Sequence, residues 1–153
     1  MINPLVSYLH LSVGAFIKGL GCALLLLLAG CSSMLGKSDA PLKNTHWQLT
    51  EVSGYMITPK EGKKAAYLQF GANGKVIGHS SCNQLFGQYL LHDSMISFSH
   101  MASTRMACMG SADETEHFML EVLKQPLLWV IRGNRLVLFD NEQVAVARFK
   151  SVY

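Results

Sequence analysis

Several signatures are missing from this 153-residue chain, and each absence excludes something. No stripe of Lys and Arg with interleaved aromatics occurs, so nucleic acid is not an expected partner. No Gly-x-Ser-x-Gly elbow occurs, and no acid-rich cluster lies outside one helical segment. A complete nucleophile, base and orienting group therefore cannot be assembled from local spacings. No internal repeat or low-complexity tract is visible. Cysteine is sparse, at four residues, and no second close-set pair of metal ligands accompanies His79-x-x-Cys82. No metal or other cofactor is expected.

The longest apolar run is too short for a comfortable membrane span, yet it has the length of a signal-peptide core. It covers Leu20 to Ala29, with five leucines from Leu24 to Leu28. Before it, His10 and Lys18 make a weakly basic start. The run ends in Leu28-Ala29-Gly30-Cys31, which resembles the lipobox of bacterial lipoproteins. Small side chains before the cysteine admit a peptidase, and the thiol is the atom that takes the diacylglycerol. The resemblance implies cleavage before Cys31, acylation of that residue, and a membrane partner reached through its acyl chains. More than one chain is needed for stable anchoring. Ser32, where an aspartate would favour inner-membrane retention, implies an outer-membrane location facing the periplasm.

Removing residues 1–30 leaves about 120 residues, enough for one domain with one core. The net charge of +3 falls to about +2 when Lys18 leaves. Residues 31–43 contain Ser, Gly, Asp and Pro41 and read as a lipidated, flexible tether. The domain proper is expected over 44–153. Lys60, Lys63 and Lys64 form a small basic cluster, read as a solvated loop.

Most of the domain reads as strands. Trp47, Leu49 and Val52 mark the first. Residues 66–70 and 75–78 flank Gly71-Ala72-Asn73-Gly74, where Asn-Gly supplies positive φ for a tight hairpin. Residues 88–91 and 95–98 flank His92-Asp93-Ser94, residues 129–132 and 136–139 flank Gly133-Asn134, and a last strand covers 144–149. One helix is expected from Ser111, with a Ser111/Glu114 capping box, an acidic first turn and a stop at Pro126. The class is α+β: a small β-rich domain whose antiparallel sheet curls, or closes partly into a barrel, on one helix.

Two segments stand out: His79-Ser80-Ser81-Cys82-Asn83 continuing to Gly87 and Tyr89, and Ser103-Thr104-Arg105-Met106-Ala107-Cys108. Once Cys22 leaves with the leader and Cys31 is acylated, Cys82 and Cys108 are the only cysteines left, in an oxidising compartment. A disulfide is the simplest reading. The alternatives are a reactive thiol, or metal ligation with His79, His92 or His100. Asn83 reads as a turn or backbone-capping residue. Arg105 reads as a hydrogen-bond hub to carbonyls, with an anion contact as the sharper alternative. Met95, Met101, Met106, Met109 and Met119 read as core filling, with a methionine-lined groove as the alternative.

Together with Trp47-x-Leu49 and the closing hairpin, these segments resemble the META domain family, over about Asn44 to Phe149. Thr104-Arg105-Met106-Ala107-Cys108 is the sharpest match, and Cys82-Asn83 with Gly87 and Tyr89 supports it. The family has a glycine before Cys-Asn where this chain has Ser81, a residue that tolerates positive φ poorly. The resemblance implies a small β-rich fold with a helix and no enzymatic activity. It also implies, as in HslJ-like heat-shock lipoproteins, a link to envelope stress and novobiocin tolerance. Two rivals stand beside it: a pilot-like chaperone whose cracked barrel holds a lipid chain or a peptide of a secretion partner in the envelope, and a hydrolase built on His79 and Cys82.

Overall fold

The computed structural model describes residues 38–152, apart from 60, 63 and 109. The leader, Cys31, Met109 and two of the three clustered lysines lie outside the described residues. Among the described residues no helix is long and apolar enough to cross a membrane.

Alternation of apolar and polar side chains builds the sheet. In β1 (His46–Val52) Trp47, Leu49 and Val52 point inward; in β3 (Tyr67–Phe70), after the two-residue β2 (Tyr55–Met56), Leu68 and Phe70 do. β4 (Lys75–His79), β5 (Gln84–His92) and β6 (Met95–Ser103) follow as antiparallel neighbours. After helix α1 (Ser111–Val122) come β7 (Leu127–Arg132), β8 (Arg135–Phe139) and β9 (Ala145–Val152). β9 then pairs with β1 from His46↔Val152 to Val52↔Ala147, so the sheet is a ring. This goes beyond the partly closed barrel expected. The β1–β9 pairing covers the two strand edges that an open sheet would leave exposed there. The narrowest seam is β6–β7, held by Met95↔Leu128 and Ile96↔Leu127, and α1 lies in the connection between those strands.

The ring encloses a filled core of Trp47, Leu49, Leu68, Phe70, Val76, Leu85, Ile96, Leu127, Leu136, Leu138 and Phe149. Among the described residues, these side chains fill the inside of the ring. The helix adds Met119, Val122 and Leu123 to this core, and Phe118 stacks on Tyr55 with ring centres 4.8 Å apart. It is a cap on the barrel more than a platform for the sheet.

Two local expectations are corrected. The tether does not run to residue 43: Ala40 and Leu42 are buried, and the Ala40 amide donates to the Gly133 carbonyl at 2.8 Å. The Leu42 carbonyl accepts the Trp47 indole N–H at 3.0 Å, so this segment helps to fix the largest core side chain. The helix N-cap is Gly110, with φ 63° and no capping side chain, so Ser111 and Glu114 do not form the expected box. Of the hairpins, Gly71–Gly74 is wider than a two-residue turn. Gly74 takes φ 77°, Asn73 Oδ1 accepts the Lys75 amide, and the Gly71 amide donates to the Lys75 carbonyl.

Candidate functional site

Both marked segments come together at one end of the barrel. Ser80–Asn83 is the turn joining β4 to β5, and residues 104–108 lead from β6 towards α1. Cys82 and Cys108 are joined by a disulfide, with Cα atoms 6.0 Å apart. Cys82 therefore carries no thiol for the nucleophile or metal ligand that the sequence left open.

Asn83 sits at the centre, 3% exposed. Its Oδ1 accepts the Thr104 hydroxyl and the Met106 amide, each at 2.8 Å. Its Nδ2 donates to Glu116 Oε2 at 2.8 Å and faces the Met106 carbonyl at 3.3 Å and Cys108 Sγ at 3.1 Å. Two protons face three acceptors. The carboxylate takes one, because charged acceptors make the stronger bond, and the other is shared. The Asn83 backbone is tied as well: its N–H donates to Ser80 Oγ, and its carbonyl accepts the Ser80 N–H. Ser80 is wholly buried and its hydroxyl donates to Glu116 Oε2 at 2.7 Å, so it is not an exposed nucleophile.

The hub expected at Arg105 is thus Asn83. Arg105 is exposed and makes no hydrogen bond or ion pair among the described residues. A guanidinium is costly to bury without an opposite charge, whereas a neutral amide offers donors and an acceptor from one small group. Thr104 closes the joint, its hydroxyl accepting the Gln84 amide at 3.1 Å. Ser81 has φ 82°, so this chain keeps the left-handed backbone at the position where the family resemblance places glycine.

Gly87 and Tyr89 act further along β5. A Cβ on Gly87 would lie 2.2 Å from the Met101 sulfur, so the missing side chain makes room for that thioether. Tyr89 meets Phe70 edge to face at 5.2 Å and its hydroxyl donates to the Gly71 carbonyl at 2.6 Å, bracing the first hairpin.

A cleft of about 670 Å³ opens beside the disulfide. Met56, Ile57, Lys64, His79, Cys82, Met106, Ala107 and Cys108 are among its lining residues. Met106 is 59% exposed, while Met119 is buried and Met101 packs on the core, so the methionines do not form one groove. His79 is 8% exposed and its Nδ1 accepts the Ser81 amide at 3.1 Å. Its ring lies parallel to Tyr67, which in turn stacks on His46 at 4.0 Å, and the Lys64 ammonium lies 5.5 Å from the Tyr67 ring centre. Burial first, and the charge of Lys64 second, hold the His79 and His46 imidazoles below their usual pKa, against an upward pull on His79 from Glu116.

His92 does not join this site. It closes the far end of β5, about 26 Å along the strand from Gln84, and makes an exposed pair with Asp93. His100 sits exposed, with φ 53°, at the β5–β6 irregularity. Among the described residues no group of three or more His, Cys, Asp or Glu converges as metal ligands would.

Sequence reasoning missed Glu116, which it counted only as first-turn charge. A signal was present: Glu116 stands three and seven residues before the buried Met119 and Leu123, which places a carboxylate on the helix's apolar face.

A family comparison matches residues 40–153 to the META domain. The chain belongs to the META domain family. Its match begins at Ala40, where the ordered segment ahead of β1 reaches the core. Two solved structures resemble it. A protein from Burkholderia xenovorans, solved by NMR, shares 23% identity with a TM-score of 0.57, covering 79% of this chain and 97% of its own. A second NMR structure shares 23% identity with a TM-score of 0.59, covering 71% of this chain and 89% of its own. At that identity the likeness concerns the fold alone. A search of curated proteins found no match.

Proposed function

We propose that this META domain protein is an envelope lipoprotein, cut before Cys31 and acylated there. It is held at the outer membrane facing the periplasm and acts by binding rather than catalysis. Its role is of the HslJ type, in envelope stress and novobiocin tolerance. The observation that carries the reading is the Cys82–Cys108 disulfide, since such bonds persist in oxidising compartments. A signal-like run ending at Cys31 agrees with export to one.

The reading is tested by metabolic labelling with a fatty-acid probe. The wild-type chain should label and sediment with membranes, and Cys31→Ala should do neither. Unchanged labelling of Cys31→Ala would refute the anchor. For the stress role, cells lacking the gene should lose viability under heat or novobiocin and recover with the wild-type chain but not with Cys31→Ala. Equal survival without the gene would refute that role.

A further inference from the structure

The cleft beside the disulfide holds groups that the Asn83 hub does not use. The amide of Ser81 can only donate, so His79 Nδ1 must accept and the neutral ring carries its proton on Nε2. That Nε2–H has no hydrogen-bond partner among the described residues and stays open to solvent, in a residue that is only 8% exposed. The buried ring is neutral at neutral pH, its pKa lowered by burial and by Lys64. Lys64 lines the same cleft and is its only charged lining residue among those described. No carboxylate lines the cleft there, and Glu116 is turned towards Ser80 and Asn83.

The rest of the wall mixes soft apolar side chains with small hydroxyl residues such as Thr58 and Thr115. Met56 and Met106 are both exposed, and Ile57 and Ala107 line the cleft with them. Thioethers adapt to chains of varied shape. The volume falls in the range of small-molecule sites. An uncharged guest would leave Lys64 unanswered, and a small inorganic ion would leave the methionines bare. The combination of two donors, one cationic, with a flexible apolar wall fits an amphipathic anion.

We propose that this cleft binds an acyl carboxylate, whose oxygens meet His79 Nε2–H and the Lys64 ammonium while its chain lies on Met56, Ile57 and Met106. This rests on reading the domain as a binding module.

The test uses the compact unit Lys37–Tyr153, free of the apolar leader that would itself take up acyl probes. The solved relatives consist almost wholly of the corresponding domain, so it stands alone. The probes are decanoate and decanol, titrated into ¹⁵N-labelled protein. Decanoate should bind saturably and roughly tenfold tighter than decanol, as a charged acceptor gains over a neutral one. The His79 ring nitrogen resonances should move during the decanoate titration. Lys64→Met, a change at an exposed residue, should remove that preference and leave thermal stability at pH 7.5 unchanged. Equal binding of the two probes, a His79 ring that stays still at saturation, or no saturable decanoate binding would each overturn the proposal. The acyl labelling of Cys31 is independent of these outcomes, so failure here and failure of the anchor are separable.

Discussion

Asn83 Nδ2 donates to Glu116 Oε2 at 2.8 Å, and this bond, with that of Ser80 Oγ to the same oxygen at 2.7 Å, ties the β4–β5 turn to the helix. Asn83→Ala would take the acceptor from the Met106 amide and the Thr104 hydroxyl and leave Glu116 Oε2 with Ser80 as its remaining close donor, at a cost of about 2–4 kcal/mol. Asn83→Asp should do more harm at neutral pH, because two carboxylates would then face each other. Adding Glu116→Gln should restore part of the loss. Urea melts of the single and double variants measure this, and strict additivity would contradict the coupling.

The disulfide spans 26 residues, and on the chain-entropy model closing such a loop stabilises the fold by about 3.5 kcal/mol. Cys82→Ser and Cys108→Ser should each lower the melting temperature, and the double variant should be no worse than either. Alkylation of oxidised, denatured protein from Lys37 onward should find no free thiol; two would disprove the bond.

Ser81 pays conformational strain for its φ of 82°. Ser81→Gly should relieve about 1 kcal/mol, raising the melting temperature by about 4 °C, while Ser81→Val should lower it. A melting temperature unchanged by both substitutions would show that the turn relaxes around either residue.

His46 and His79 both have folded-state pKa values lowered by burial and by Lys64. Protons therefore favour the unfolded chain. The stability these rings contribute is complete above the ordinary imidazole value of about 6.5 and drains as pH falls below it, until the folded values are passed. Thermal melts between pH 7.5 and 5 should show the loss. Lys64→Met should make it shallower, since one of the two causes is gone; an identical profile would deny the coupling.

What the sequence disclosed depended on how local the determining chemistry was. Turn residues placed the hairpins at Gly71–Gly74, Asp93-Ser94 and Gly133-Asn134, and Pro126 marked the end of the helical stretch. Counting thiols pointed to Cys82 and Cys108. The β1–β9 closure was not visible, because pairing of residues so far apart leaves no local pattern. β2, two residues long, was too short for any periodicity to register. The site failed in an instructive way: charge drew attention to Arg105, but the organising group is a buried neutral amide. Its partner Glu116 becomes meaningful only once the helix face is oriented. The disulfide also removed the physical basis for the Cys82-nucleophile reading.

The closure has a temporal side. Thr50 Oγ1 donates to the Arg148 carbonyl across a separation of 98 residues, and the whole of β1 waits on β9 in the same way. As the chain is extended, the hairpins and the Cys82–Cys108 bond can form while β1 and β8 still present bare edges. Contacts of such long sequence separation form slowly. The interval before β9 arrives is the period of greatest exposure to mispairing, when a neighbouring chain competes for the same backbone groups.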